Sequence, residues 1–316
     1  GKGQGTSNSA RLPINISSIK VLGETSCGRQ NAQHFACSCP AKMMDVGTEF
    51  VAEISQRLVL GLSQSERVGL TAATNKWTSA IRLINPAKGN KCPFSACKKL
   101  FAGLAGMIKV KATIEKRIKD LQQNGPDDTT LSDVVHAGHD FLPQSGLVKN
   151  GIMLAFASFE TTRLTLALAV MLLGLNEPAW EKLVEEQESI VGKHGNELTP
   201  DVLKECKYLD AVVKETLRLG PVSIQNPPKT KETIVVEGKQ IPKGWNIAGG
   251  IRLTHELDPA TYRKDGSHMD VKQGFQPERW LEKETQPKEY LPFGVSKRHC
   301  IGSKLAVTEF KVFLTT

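Results

Sequence analysis

The residues with the clearest chemical potential lie in one short basic loop, Phe293-Gly-Val-Ser-Lys-Arg-His-Cys-Ile-Gly302. Its single cysteine, Cys300, could act as a thiolate, which is both a nucleophile and a soft metal ligand. Lysine, arginine and histidine precede it and a helix-like run follows it; nearby cations and a helix N-terminus stabilise a thiolate. Gly294 allows a tight turn and the close approach of a flat partner, beneath which Phe293 could pack. On this loop alone, an inert cysteine is an equal alternative.

A second candidate site interrupts the apolar run 151–175 with Ala157-Ser-Phe-Glu-Thr-Thr162. Here Glu160 and Thr161 place an acid beside an alcohol, a pairing that can deliver protons. In the alternative reading, the threonine hydroxyl bonds its own helix and the glutamate lies on a solvated face. Glu160 and Arg163 would be costly within a bilayer, so the run is predicted to be a buried central helix rather than a membrane span.

A third candidate group combines two segments. Glu215 and Arg218 lie three residues apart in an amphipathic run, so they share one helix face. Arg279 follows later, in Pro277-Glu-Arg-Trp280. A lone pair with this spacing is usually a solvated surface pair of small energetic value.

Taken in chain order, these motifs resemble those of the cytochrome P-450 (haem-thiolate monooxygenase) family. The F-x-x-x-x-R-x-C-x-G pattern carries the strongest part of the resemblance. It implies that Cys300 is the axial ligand of the haem iron and that Arg298 reaches a haem propionate. It also implies that Phe293 shields the sulfur, with Gly294 in the turn beside it.

The same resemblance assigns roles to the other two groups. It implies that Thr161 and Glu160 are catalytic, the threonine by hydrogen bonding to bound dioxygen and the glutamate by connecting that point to solvent. It implies that Glu215, Arg218 and Arg279 form a structural triad, in which a buried carboxylate between two guanidiniums braces the cysteine loop.

A weaker resemblance concerns a helix that includes Trp77 and ends in Asn85-Pro86-Ala87, which is similar to the family helix with W-x-x-x-R and N-P-A. The expected arginine position holds Ile81, and Arg82 is the next residue. A shift of one residue rotates a helical side chain by about 100°. The resemblance makes Trp77 and Arg82 candidates for the haem edge, and a core aromatic is an almost equal alternative for Trp77.

The predicted fold class is mainly α with a small β portion, a cytochrome P-450-like fold that is incomplete. Residues 1–45 give no assignable pattern, and residues 46–316 are predicted to form a single haem-thiolate domain. The interval 88–150 is shorter than in the family, and the chain stops at Thr316. We therefore expect a truncated or internally shortened member of the family.

Periodicity and start signals predict individual elements. Helices are expected over 47–62, from Trp77 to Pro86, over 91–119 and 151–175, from 176, after Thr199-Pro200, and over 208–219. Short strands with a hairpin are expected over 233–254, and loops over 122–128 and 265–290. His255 is expected to make a structural hydrogen bond rather than to bind a metal.

Composition narrows the class of partner and the compartment. The net charge of +8 suits an acidic protein partner or an anionic membrane, and the lack of a basic run with interleaved aromatics argues against nucleic acid. The seven cysteines are irregularly spaced, which favours a reducing compartment over a disulfide framework. Residues 1–20 lack the apolar segment of a signal peptide. An anchor in the endoplasmic reticulum or another organelle membrane would have to precede Gly1.

The implied function is insertion of one oxygen atom from O2 into an apolar substrate of terpenoid, sterol or fatty-acid type. Haem b would be the cofactor, and electrons would come from an acidic reductase or ferredoxin, with NAD(P)H acting only through that reductase. The wording I-P-K-G-W is similar to the branch that oxidises retinoids and sterols. Two alternatives stay open: a haem-thiolate isomerase or dehydratase of hydroperoxides, and an inactive remnant. Ser158 and Ser296, which replace family glycines, support the remnant.

Overall fold

The computed structural model describes residues 43–81, 94–222 and 228–315, and helices dominate these ranges. This confirms the predicted class, mainly α with a small β portion. The helices are α1 (Met43–Leu58), α2 (Gln64–Ile81), α3 (Phe94–Asn124), α4 (Thr130–Gly138), α5 (Gln144–Leu175), α6 (Glu177–His194), α7 (Pro200–Glu205), α8 (Lys207–Leu219), α9 (Ile251–Glu256) and α10 (Ser303–Thr315). The strands in these ranges are β1 (Ile234–Val236) and β2 (Lys239–Ile241).

The central element is α5, which is in contact with α1, α3, α4, α6, α8 and α10. Small and apolar side chains along it are buried, including Gly151, Ala155 and Phe159. The helix is long and apolar enough to cross a membrane, and 50% of its most apolar window is buried inside the protein. Near its middle, Glu160 and Arg163 form an ion pair with both side chains buried. These surroundings match the prediction of a buried central helix.

Three apolar clusters fill the interior. The first joins the turn after α1 (residues 59–62) to α2, α3, α4 and the first half of α5. The second joins α1, the middle of α5, α8 and α10, and Phe293 packs against its edge. The third joins the end of α5 to α6, α8 and Phe275. Because α5 contributes to all three, it connects the parts of the molecule that carry the predicted site residues.

Two helix starts are capped in different ways, one by local sequence and one by a side chain from another helix. Thr199 caps α7 as predicted, because its hydroxyl oxygen accepts a hydrogen bond from the Val202 amide at 3.2 Å and Pro200 occupies the first turn. The start of α8 is capped from another helix. The Glu186 carboxylate accepts hydrogen bonds from the amides of Tyr208 at 2.6 Å and Leu209 at 2.9 Å. A negative charge is favourable at this end of a helix, so the cap also ties α6 to α8.

The predicted hairpin is present. β1 and β2 pair antiparallel, with Val236 opposite Lys239. The two residues between them, Glu237 and Gly238, both have positive φ, 50° and 76°, as a tight two-residue hairpin turn requires. The prediction of strand as far as 254 is wrong, since residues from Ile251 onward form α9. His255 in that helix is buried against the end of α8. The local composition favours strands and does not reveal this tertiary contact.

The remaining elements differ from prediction mainly at their ends. α3 runs to Asn124, so the loop predicted from 122 starts later. The segment 265–290 is irregular as predicted, with short 3-10 turns at Ser267–Met269 and Pro277–Trp280. The helix with Trp77 is α2, which begins well before it and is described as far as Ile81. Its predicted continuation to Pro86 lies outside the described residues, as does most of 1–45.

Candidate active site

The cysteine loop is closed by main-chain hydrogen bonds. The Gly294 amide, at a φ of 74° that favours glycine, donates to the Leu291 carbonyl at 3.0 Å. The Cys300 amide donates to the Phe293 carbonyl at 2.9 Å, and α10 begins three residues after the cysteine. The loop therefore has a defined shape, with its one thiol free and exposed at the start of a helix.

The side chains around the thiol form an exposed surface that is both basic and apolar. Lys297, Arg298 and His299 are exposed. Ile301, directly after the cysteine, is 81% exposed, which is unusual for so large an apolar side chain. Phe293 is half-buried, and its ring lies 6.3 Å from that of His299. The thiol is thus surrounded by groups that could hold an anionic, largely apolar ligand.

The structure brings Glu215, Arg218 and Arg279 together in the interior. Arg218 makes a bidentate contact with the Glu215 carboxylate, with its Nε 2.9 Å from Oε2 and its terminal nitrogen 2.9 Å from Oε1. Arg279 donates from Nε to Oε1 at 3.0 Å. Glu215 and Arg218 have no exposed side-chain surface. Burial lowers the pKa of Arg279, and the neighbouring Glu215 carboxylate opposes that shift.

Two further donors to this carboxylate were missed by sequence reasoning. The Trp280 indole donates to Oε2 at 2.9 Å, and the Gln276 amide donates to Oε1 at 3.1 Å. Arg218 also donates to the carbonyls of His268 at 2.8 Å and Gly274 at 2.9 Å. The signal for Trp280 was its position next to Arg279, since a buried indole N–H needs an acceptor. We call Glu215 and its four donors the bracing cluster: Arg218, Gln276, Arg279 and Trp280.

On α5, the predicted catalytic residues bond within their own helix. The Thr161 hydroxyl donates to the Ala157 carbonyl at 2.8 Å, the arrangement that sequence analysis kept as the alternative. Glu160 is buried rather than solvated, and Arg163 donates to it from Nε at 2.7 Å. The Arg163 guanidinium also lies 5.2 Å from the centre of the Phe159 ring. In this arrangement the acid and the alcohol are adjacent on α5, and each makes a hydrogen bond within that helix.

The haem-edge candidate Trp77 packs against α5. Trp77 is half-buried against the first apolar cluster, and its ring is 5.4 Å from that of Phe156 on α5. Its surroundings are those of a core aromatic at the edge of that cluster. Arg82 lies outside the described residues.

His255 makes the structural hydrogen bonds that sequence analysis favoured. Its ring is fully buried, with Nδ1 3.0 Å from the Arg218 carbonyl and Nε2 2.9 Å from the Leu291 amide nitrogen. It therefore lies between the bracing cluster and the segment that enters the cysteine loop. Asp258, which sequence analysis did not single out, lies beside it and is also fully buried.

Comparison with known families explains why these groups occur together. The family model described as Cytochrome P450 matches residues 78–316, which include the α5 motif, the bracing cluster and the cysteine loop. The chain belongs to the cytochrome P450 family. Members of this family bind haem b. The predicted recognition is therefore confirmed, and the predicted fold class with it.

The regions that match individual relatives make up a larger share of this chain than of the relatives. Cytochrome P450 26B1 of Danio rerio is 35% identical over 232 residues, which are 70% of this chain and 44% of that protein. Cytochrome P450 714B3 of Zea mays is 32% identical over 200 residues, 62% of this chain and 36% of that protein. The chain thus spans less than half the length of these cytochrome P450 relatives.

Solved structures agree on the fold. The retinoic acid-bound cyanobacterial CYP120A1 gives a TM-score of 0.65 at 24% identity, and the match covers 86% of this chain and 60% of that one. The haem domain of cytochrome P450DA gives 0.66 at 18% identity with the same coverage. At these identities the likeness concerns the fold alone.

The donor set around Cys300 fits a haem better than a bare metal ion. Within the described ranges, no group of three or more histidine, cysteine, aspartate or glutamate side chains could hold a metal ion. A haem brings its own nitrogen ligands and needs from a cytochrome P450 one axial thiolate. Cys300 can supply that ligand because its thiol is free and exposed. The exposed Arg298 guanidinium, two residues away, suits a propionate.

Proposed function

We propose that this cytochrome P450 chain is a haem-thiolate monooxygenase that inserts one oxygen atom from O2 into an apolar substrate. The observation that carries the proposal is the exposed thiol of Cys300 in a loop closed by the hydrogen bond from its amide to the Phe293 carbonyl. We further propose that residues 46–316 act as a single haem-binding domain. When bound, haem supplies the oxidising chemistry. The chain binds the haem iron, orients the haem and delivers protons.

Four residues of the cysteine loop have a proposed part in holding the haem. Cys300 would ligate the iron, and Arg298 would pair with a propionate, for which a guanidinium is well suited because it donates in a planar fork. Phe293, half-buried against the second apolar cluster, excludes water from the sulfur. Gly294 allows the tight turn beside Phe293, because glycine adopts its positive φ of 74° without strain.

We propose that proton supply depends on α5. The Thr161 hydroxyl donates to the Ala157 carbonyl at 2.8 Å, and rotation about its Cα–Cβ bond can redirect that donor away from the helix. Thr161 would then hold a proton at its Oγ1 that is available to the oxidation site. Glu160, the adjacent residue, assists Thr161 in proton supply. Its carboxylate accepts a hydrogen bond from the Arg163 Nε at 2.7 Å.

We also propose that an acidic redox partner docks beside the cysteine loop. Lys297, Arg298 and Lys304 are exposed there, and complementary charge accelerates the encounter between partners. Lys304→Glu should slow reduction by about tenfold at low ionic strength and leave the haem spectrum intact. Lys239→Glu, the same charge change on the exposed hairpin, should have little effect. Equal reduction rates in both variants would remove Lys304 from the interface.

The decisive experiment is the absorption spectrum of the reduced, carbon monoxide-bound protein. We expect a red-shifted Soret band in the wild type and its loss in Cys300→Ala. Cys97→Ser, which removes a thiol on α3, should keep the band and serves as the matched control. A spectrum that is the same in all three proteins, or no haem in the wild type, would refute the proposed function.

A further inference from the structure

The chain approaches the cysteine loop through a segment, residues 288–291, that has no regular secondary structure. Its main-chain amides are bonded by side chains instead. The Asp258 carboxylate accepts hydrogen bonds from the amides of Lys288 at 2.7 Å and Glu289 at 2.5 Å. His255 accepts from the Leu291 amide at 2.9 Å. The position of this segment is therefore set by two buried side chains rather than by a helix or sheet.

The partners of His255 determine its tautomer. A main-chain carbonyl can only accept, so Nδ1, 3.0 Å from the Arg218 oxygen, must carry the proton. A main-chain amide can only donate, so Nε2 must present its lone pair to Leu291. Both bonds exist together only in the neutral ring with the proton on Nδ1. An imidazolium would turn Nε2–H toward the Leu291 N–H and lose that bond.

Two main-chain hydrogen bonds continue from Leu291 to the main chain of Cys300. The Leu291 carbonyl accepts from the Gly294 amide at 3.0 Å, and the Phe293 carbonyl accepts from the Cys300 amide at 2.9 Å. On the other side of the imidazole, Arg218 belongs to the bracing cluster. The ring of His255 is thus the connection between the buried cluster and the loop that ends at the sulfur.

We propose that His255 is a positioning residue for Cys300: its neutral, Nδ1-protonated ring holds Leu291 and thereby the cysteine loop, and protonation of the ring releases that hold. The proposal rests on the proposed function only in that Cys300 is taken as the haem ligand. The hold on Leu291 is a property of the chain itself, and it can be measured without haem.

The groups that face the ring keep it neutral. Burial lowers the pKa of His255, and the Arg218 guanidinium on α8 adds to that, against the hydrogen bond to the Arg218 carbonyl and the Asp258 carboxylate, which raise it. The Tyr290 phenol also faces the imidazole: its ring is 5.6 Å away, and burial raises its pKa. The ring is therefore neutral when the pH is above 6.5, the ordinary pKa of histidine. It becomes protonated as the pH falls through its lowered pKa.

Three variants separate the two hydrogen bonds. His255→Gln can place its side-chain oxygen near the position of Nε2, and so accept from Leu291 without titrating. His255→Asn reaches only as far as Nδ1 and can bond the Arg218 carbonyl but not Leu291. His255→Phe keeps a flat ring against Tyr290 and loses both bonds. A merely space-filling role would rank Phe as the best substitute, whereas the proposed role ranks Gln first.

The first measurement is amide hydrogen exchange of a peptide spanning 288–294 in the haem-free protein. We expect about tenfold faster exchange in the Asn and Phe variants, the size that loss of one buried hydrogen bond gives, and near wild-type exchange in the Gln variant. The ratio of wild-type to Gln exchange should rise as the pH falls below 6.5, since only histidine titrates. Equal protection in all four proteins at all pH values would overturn the proposal.

The second measurement is the fraction of thiolate-ligated haem in the reduced carbon monoxide spectrum from pH 5 to 8. We expect an acid loss in the wild type that is weaker in His255→Gln. An identical acid loss in both would overturn the proposal. If the Phe variant fails to fold, the Gln and Asn pair decides the outcome. A wild-type protein that binds no haem would refute the proposed function, and the exchange pattern would still decide whether His255 holds the loop.

Discussion

Replacing Glu309 with glutamine is expected to stabilise the folded protein at neutral pH. Glu309 lies on α10 and is 3% exposed, with the Ser55 hydroxyl donating to its Oε1 at 3.3 Å and Thr162 bonding it from α5. No ion pair joins it among the described residues. Burial raises its pKa from 4.5 to about 8, against the two hydroxyl bonds. The folded protein therefore holds this carboxyl protonated at pH 7.

The size of the effect follows from proton linkage. Because the folded pKa lies above the unfolded one, the stability that the protonated acid contributes is complete below 4.5 and is lost as the pH rises toward 8. Each pH unit in that window costs about 1.4 kcal/mol. At pH 7 the loss is on the order of 3 kcal/mol. Glutamine has nearly the same shape and does not titrate, so it avoids this loss.

The assay is urea unfolding of the wild type and Glu309→Gln at several pH values, with Glu188→Gln as control. Glu188 is an exposed glutamate on α6, so its replacement should change stability by less than about 0.5 kcal/mol. The advantage of Glu309→Gln should be below about 1 kcal/mol at pH 5 and grow to about 3 kcal/mol at pH 7. An advantage that does not change with pH, or a loss of stability at pH 7, would refute the reasoning.

Substitutions at three further positions test the fold, each by thermal or denaturant unfolding. Glu215→Gln should cost about 3–5 kcal/mol, because it leaves two buried guanidiniums without their counter-charge; a cost below 1 kcal/mol would contradict the described cluster. Thr199→Ala should cost about 1 kcal/mol through loss of the α7 cap, and Thr199→Ser should restore most of it. Gly274→Ala should lower the melting temperature, because its Cβ would lie 2.6 Å from two main-chain oxygens; an unchanged melting temperature would contradict that close approach.

The features that sequence predicted best are those whose cause is local. The Thr199-Pro200 start depends on residues within one helical turn, and α7 begins there. Glu215 and Arg218 share a helix face by spacing alone, and the structure joins them. The same spacing relates Glu160 and Arg163, and it could have indicated their ion pair before the structure did.

The features that sequence missed depend on partners far away in the chain. Nothing near Asp258 indicates that it bonds amides thirty residues later. Glu309 resembles any helical glutamate until Ser55 and the centre of α5 are packed against it. Residues 251–254 were predicted to be strand and lie in α9, where His255 is buried against the end of α8. In each case tertiary packing, which no local pattern encodes, decided the outcome.

The bracing cluster also bears on how the chain could change in length. Glu215 and Trp280, which bond each other, are 65 residues apart, and the exposed hairpin of β1 and β2 lies between them. The entropic cost of closing such an interval grows only slowly with its length, by about 0.6 kcal/mol per doubling. Residues inserted at the hairpin turn would therefore have little effect on the closure of the cluster. The turn at Glu237 and Gly238 is therefore a site where a tag or a second protein could be inserted with little consequence for the thiol loop.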